Sequence, residues 1–248
     1  SCLVGSEMCI RDRLNIETST SVCSVALSMD GEVLFAKASF DGPSHAALLG
    51  VFVEEALSVL KKKGKKALDA VAVSSGPGSY TGLRIGVSVA KGLCFGFGIP
   101  LIGIHTLDIM AATVNSKGDS QIVSITDDCL YCAMLDARRM EVYAAIYDAS
   151  LKPVRETKAD IVEAGTYASY LEKGKVCFFG NGASKCKSVI TSPNAIFIED
   201  IHPLAVNMIP LSEQAFAAGK FEDTAYFEPF YLKEFQATVA KNKVLLAR

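Results

Sequence analysis

Two acids stand where chemistry could begin. Glu17 closes the run "LNIE" and Asp136 closes "YCAMLD"; each is followed by a polar turn and an alternating strand pattern. Carboxylates facing each other from the ends of inner strands can hold a magnesium ion or its waters in a phosphotransferase, with Asp127 and Asp128 near enough in sequence to assist. The second feature is "GPGSYTG", residues 76–82, a glycine-rich turn ahead of a helical pattern. Successive backbone N–H groups there, added to the positive end of the helix, would offer a phosphate contact at Gly78 and Ser79. The match is incomplete. The lysine of a phosphate-binding P-loop is missing, the glycines sit at 76, 78 and 82, and Glu17 leads into "TSTSVCS" without a glycine turn. Ser79 or Thr81 acting as a plain helix cap explains the same residues.

Metal and nucleophile chemistry find less footing. His45, His105 and His202 are the only histidines and are too dispersed for a local ligand pair. Cys129 and Cys132 form the only close cysteine pair, without the second pair a zinc site needs. A redox CxxC usually opens a helix, whereas "CLYCAML" reads as strand. No G-x-S-x-G elbow is present. No catalytic residue and no metal site are assigned. Other cysteines lie in apolar strand contexts and act as small hydrophobes, so the cytoplasm is the expected location. A formal net charge of -2 disfavours autonomous nucleic-acid binding, and "KKKGKK" at 61–66 reads as a solvated helix end. No apolar run approaches the ~20 residues needed to cross a bilayer.

The elements that must position these residues follow from periodicity. Residues 1–13, "SCLVGSEMCIRDR", resemble an adapter-derived scar and are set aside as a non-native leader. Strands are expected at Leu14–Ile16, Ser21–Met29 and Glu32–Ala38, with Asp30-Gly31 as a hairpin turn. A helix capped by Ser44 carries Leu49, Phe52, Val53, Ala56, Leu57 and Leu60 at helical spacing. The strand "DAVAVSS", a second helix and the strand "IPLIGI" complete a first lobe over residues 14–105. The second half shows strands at "IVSITDD", "LYCAMLDARR" and "MEVYAAIYD", a helix near Ile161–Glu172, the strand "VCFFGNG" and a helix near Pro203–Ala218. The same order in both halves, with Glu17 and Asp136 in equivalent places, indicates a duplication. The expected architecture is α/β: an actin-like, duplicated ribonuclease-H-like fold in two lobes. The first lobe is completed by a helix near 208–220, the second covers 106–207, and 221–248 form a tail.

Both first-lobe helices carry more apolar surface than one sheet requires. On the second, Arg84, Ser88 and Lys91 form a narrow polar stripe, while Leu83, Ile85, Val87, Val89 and Leu93 surround a small-residue ridge of Gly82, Gly86 and Ala90. The non-polar arc is roughly twice the ~100° stripe of an ordinary surface helix. Leu48, Val51 and Val59 likewise lie off the main face of the first helix. Such helices pack on each other or against a second chain, and the wheel does not choose.

The segments "NIETSTSVCSVAL", "HAALLGVFVEEAL", "DAVAVSSGPGSYTGLRIGVSVAKGL", "IPLIGIHTLDIMA", "LDARRMEVYAAIYD" and "EPFYLK" resemble, in this order, the bacterial TsaB (YeaZ) family. The resemblance runs over nearly all of residues 14–233 and is most specific in GPGSYTGLRIG. It implies a non-catalytic scaffold or activator subunit of the complex that makes threonylcarbamoyladenosine (t6A) at adenosine 37 of ANN-decoding tRNAs. The implied main partner is the TsaD transferase, a larger paralogue that holds the metal and the catalytic cleft. A TsaE ATPase would join, tRNA would be met through the complex, and ATP or ADP with magnesium would enter only there. Family members use the two first-lobe helices to bundle with TsaD, or with themselves when alone. Carried onto this chain, that surface comprises His45, Leu48, Leu49, Phe52, Gly82, Arg84, Gly86, Ala90 and Lys91. The chain departs from the family pattern at Glu17 for aspartate, Tyr80 for phenylalanine and Lys233 for arginine. The competing reading is an autonomous actin-like ATPase or kinase using Glu17, Asp136 and the GPGS turn. A glycoprotein peptidase would need metal ligands that the sequence does not supply.

Overall fold

The structure, a computed structural model, describes residues 12–42, 44–64, 68–116 and 129–232. The expected strand "IVSITDD", Asp127, Asp128, Lys233 and the segment from Gln236 onward lie outside the described residues.

Strand β1, Asp12–Glu17, is buried along its whole length, so it must lie inside a sheet covered on both faces. β2, Cys23–Met29, and β3, Glu32–Ser39, follow as an antiparallel meander. Asp30 and Gly31, both at positive φ, make the tight turn between them. Helix α1, His45–Lys62, carries the chain over the sheet to β4, Ala70–Gly76, which lies parallel to β1. Helix α2, Tyr80–Phe97, makes a second crossover to β5, Leu101–His105. The sheet order is β3-β2-β1-β4-β5.

The second half repeats this wiring. β6, Leu130–Asp136, β7, Glu141–Tyr147, and β8, Pro153–Ile161, form the meander. Short helices α4, Ala168–Leu171, and α5, Ala183–Cys186, precede the parallel strands β9, Val176–Phe179, and β10, Ala195–Ile198. The order β10-β9-β6-β7-β8 is the first sheet's order under a one-to-one renumbering. Two such units in one chain constitute the actin-like, duplicated ribonuclease-H-like fold. Helix α3, Thr106–Ser116, passes from the first sheet to the second. Helix α6, Ala205–Ala217, returns to the first, where Ala26, Ala70 and Ala72 leave room for Ala205, Met208 and Ile209. The opposite face carries the main core, in which Leu14, Ile16, Val25, Val71 and Val73 meet Leu49, Phe52, Val87 and Ala90.

Four expectations need correcting. β1 begins inside the segment set aside as a leader: Asp12 pairs with Met29, and Arg13 is fully buried. The helix expected over Ile161–Glu172 is reduced to α4: Ile161 ends the edge strand β8, and residues 163–166 form a turn in which the Thr166 hydroxyl accepts from the Glu163 N–H at 2.8 Å. Helix α3 and strand β10 have no counterpart in the expected elements. Finally, residues 221–232 of the supposed tail are strapped across the first lobe. Glu222 bridges to Leu101, Phe227 packs on the main core, and the Phe230 N–H donates to the Ser75 carbonyl at 2.6 Å.

Arg13 shows how the last helix is tied to the first strand. Its guanidinium meets the Glu213 carboxylate of α6 and lies 5.0 Å from the Phe216 ring centroid. Removing one member of a buried ion pair leaves the other charge uncompensated. Glu213→Ala is therefore expected to lower unfolding stability by about 3 kcal/mol, read from urea denaturation, and Arg13→Met by less.

Candidate partner-binding face

The two long helices are placed by the turn after β1. Thr18 and Ser19 of that turn lie directly beneath the start of α2. The Ser79 N–H donates to the Ser19 carbonyl at 2.6 Å, and the Thr18 hydroxyl donates to the Gly82 carbonyl at 2.8 Å. A Cβ added at Gly82 would stand 2.1 Å from the Thr18 carbonyl oxygen, and one at Gly86 2.3 Å from its hydroxyl. At Gly78 it would meet the Ser19 carbonyl at 2.3 Å. These glycines let a backbone lie against a helix, and that backbone belongs to this chain. The Ser79 side chain accepts from the Gly82 N–H, so Ser79 is the helix cap. Gly98, in the left-handed region, ends the helix.

This arrangement corrects the phosphate reading. The Ser79 N–H is spent on Ser19, and Gly78 is pressed against the same residue. Gly76 lies under the Phe230 carbonyl. The two acids do end equivalent strands, β1 and β6, but in opposite surroundings. Glu17 is completely buried; its Oε1 accepts from the Ser19 N–H at 2.5 Å. Burial raises its pKa to about 7, against a lowering by hydrogen bonds from Ser19 and Ser74. Asp136 is exposed; it accepts from the Lys185 ammonium at 2.5 Å and the Arg138 N–H at 2.9 Å. One acid is sealed and the other neutralised, so they form no open carboxylate pair. A cavity of about 320 Å³ opens in the second lobe beside Asn181, Lys187, Phe197 and His202; none of Glu17, Gly78, Ser79 or Asp136 lines it.

Metal chemistry has no local support either. Among the described residues no group of three His, Cys, Asp or Glu side chains is placed to share an ion. His45 Nε2 sits 2.8 Å from the Thr20 carbonyl, and His105 and His202 meet Phe230 and Phe40 edge to face. No described helix is long and apolar enough to cross a membrane.

The residues expected to meet a partner divide sharply. His45, Leu49, Phe52, Gly82, Gly86 and Ala90 face inward and are buried by their own lobe. They are corrected to core positions, because the small ridge of α2 accommodates the β1–β2 turn. Leu48 and Lys91 are half-buried and Arg84 is exposed. The Lys91 ammonium donates to the carbonyls of Ala225 and Phe227, pinning the strap, and Arg84 donates to the Tyr80 hydroxyl at 2.8 Å.

Sequence reasoning named Val51, Ile85, Ser88 and Val89 of the outward residues but not the glycines or Phe95. On α1 the outer residues include Ala46, Ala47, Gly50 and Val51, the last 48% exposed. On α2 they are Ile85, Ser88, Val89, Gly92, Gly96 and Phe95, the last 88% exposed. Glu54 and Ser58 of α1 interrupt this apolar surface. A Cβ at Gly50, Gly92 or Gly96 would meet nothing within 4 Å. A glycine inside a helix costs about 1 kcal/mol relative to alanine, and among the described residues no close contact compensates for it here. The signal was in the sequence: glycine inside a helical pattern marks a packing or functional demand.

Comparison with known proteins gives consistent results. A family model described as "TsaD: tRNA N6-adenosine threonylcarbamoyltransferase" matches residues 41–241. The tRNA threonylcarbamoyladenosine biosynthesis protein TsaB of Escherichia coli (strain K12) is 31% identical over 231 residues, covering 89% of this chain and 94% of that protein. The tRNA N6-adenosine threonylcarbamoyltransferase of Nitratidesulfovibrio vulgaris (strain DP4) is 37% identical over 108 residues, which are 38% of this chain and 30% of that enzyme. The solved structure of YeaZ from Pseudomonas aeruginosa superposes with a TM-score of 0.69 at 25% identity, covering 90% of this chain and all of that one.

The buried Glu17 makes stability depend on pH in an unusual sense. The unfolded chain releases this proton near 4.5, the folded chain only near 7. Between those values the unfolded state holds fewer protons, so the Glu17 contribution falls as pH rises and is fully lost above about 7. Glu17→Gln should match wild type near pH 4.5 and exceed its stability at pH 8 by up to about 3 kcal/mol, compared through urea midpoints.

Proposed function

The chain belongs to the TsaB (YeaZ) family, and on that premise we propose that it takes part in tRNA threonylcarbamoyladenosine synthesis as a non-catalytic subunit. It holds and activates a TsaD-type transferase, docking through the outer faces of α1 and α2. In this reading it is a required part of a tRNA threonylcarbamoyltransferase complex in the cytoplasm. A TsaE-type ATPase joins that complex, tRNA reaches the chain through it, and ATP or ADP with magnesium acts there. A second copy of the chain would occupy the same face when the transferase is absent.

One observation carries the reading. Gly50, Gly92 and Gly96 weaken their helices, and among the described residues nothing lies within 4 Å of a Cβ placed at any of them. A second helix pair seated on this face supplies the missing reason, since small residues let helix backbones approach closely. Phe95 and Val51 supply apolar anchors beside the glycines. The partner is committed to a transferase with a similar lobe, because the matching family model carries the transferase's description and part of that enzyme resembles this chain directly. The competing ATPase or kinase reading is disfavoured by the sealed Glu17 and by the engaged Ser79 N–H.

Substitutions at the exposed glycines separate docking from folding. Gly92→Leu should raise the stability of the isolated chain by up to about 1 kcal/mol, because its Cβ meets open space. The same change, and Val51→Glu, should lower affinity for a co-expressed TsaD-type protein at least about tenfold by calorimetry or co-purification. Undiminished binding by both variants would overturn the reading. Gly86→Leu is the contrasting case: it should unfold the chain, because the Thr18 hydroxyl occupies that space.

A further inference from the structure

Cys129 stands immediately before β6, and Cys177 is the second residue of β9, the parallel neighbour of β6. Their sulfur atoms are 2.8 Å apart, well inside ordinary contact between two unbonded sulfurs, and both are free thiols. They lie on the face of the second sheet covered by Leu107, Met110, Ala111 and Val114 of α3. Cys132, the partner suggested by the CxxC spacing, faces the other way. Three residues along a strand reverse the side, and Cys132 packs with Val142, Phe178 and Cys186 instead. The close pair is therefore one that sequence spacing conceals.

The two sulfurs are not equivalent. The hydrogen bond from Cys177 brings the Cys129 thiol below its ordinary value, against the opposing effect of burial and with help from the Lys175 charge. The same bond, together with burial, pushes Cys177 up. Cys129 is the more readily ionised member and hence the better nucleophile. Cys23 and Cys94 stand apart, each pushed by burial up to about 11.

We propose that Cys129 and Cys177 form an oxidation site at which hydrogen peroxide produces an intramolecular disulfide joining β6 to β9. The Cys129 thiolate attacks one peroxide oxygen and the O–O bond breaks. The departing hydroxide takes up the proton given by the thiol, leaving Cys129 as a sulfenic acid and one water. The Cys177 sulfur then attacks the Cys129 sulfur, the S–O bond breaks, and hydroxide leaves with the Cys177 proton as a second water. Two thiols and one peroxide become one disulfide and two waters; the thiols lose the two electrons that the peroxide gains. Cys129 is 4% exposed, so the reaction requires peroxide, a small oxidant, to enter beside it. The product links two central strands 48 positions apart in sequence, constraining the unfolded chain. The site is in the lobe opposite α1 and α2, so it stands or falls independently of the docking surface.

The test treats the folded, reduced full chain with hydrogen peroxide, followed by intact mass measurement and non-reducing peptide mapping. The expected product has lost two hydrogen masses, links the Cys129 and Cys177 peptides, reverts with dithiothreitol and melts several degrees higher. Cys177→Ser should stop at a sulfenic acid on Cys129, trapped by dimedone, while Cys129→Ser should leave Cys177 unmodified. Alanine variants with a wild-type melting transition repeat the assignment. A Cys129–Cys132 link, a disulfide formed only in denaturant, or a folded wild type that forms none would each overturn the proposal.

Discussion

The contact between the β1–β2 turn and the first two turns of α2 governs the rest of the molecule. Thr18 and Ser19 fill the space that side chains would take at Gly78, Gly82 and Gly86. A turn seated so closely fixes the rotation of α2 about its axis. Gly82, Gly86 and Ala90 must point inward, and Ser88, Gly92 and Gly96 must point outward. It also consumes the Ser79 N–H and shuts Glu17 beneath it, so the region that would meet a phosphate in a working kinase is closed by the chain's own backbone. The same packing that makes this a poor nucleotide site presents a flat, small-residue surface to whatever lies outside.

The duplication sharpens that contrast. The two sheets share their strand order, yet the crossovers have diverged: α1 and α2 span 18 residues each, whereas α4 and α5 span four. Among the described residues, the long crossover helices belong to the first lobe, where the proposed docking surface lies. The terminal acids diverged with them. Glu17 is neutralised by burial and Asp136 by Lys185, two different ways of retiring a carboxylate from an open cleft.

Much of this was legible in the residues, and the errors have physical causes. Periodicity located α1, α2 and the strands around them, and the repeated order of elements indicated two related lobes. The wheel registered too much apolar surface and left its use open; the residues assigned to a partner came from the family resemblance, and several of them face inward. A ridge of small residues admits either a strand turn or a foreign helix, and composition alone cannot tell which; Thr18 decided it. Edge strand β8 was left unassigned because its charged residues, among them Arg155 and Asp160 bonded at 2.5 Å, hide the apolar alternation that marks a strand. The Cys129 pairing was invisible because it joins strands 48 residues apart, while the local CxxC falls on opposite faces.

The outward glycines bear on the proposed docking role. A lone domain gains nothing from Gly50, Gly92 and Gly96, since alanine would stiffen each helix without touching a neighbour. The inward glycines differ in kind: at Gly82 and Gly86 any side chain collides with Thr18. The first set weakens the isolated molecule, whereas the second is a condition of its folding. A surface that forgoes local stability in this way recovers it only when another backbone closes the gap, where close packing restores the dispersion contacts that open space cannot provide. The proposed docking role asks the same of this outer face: a partner helix lying within reach of a bare Cα.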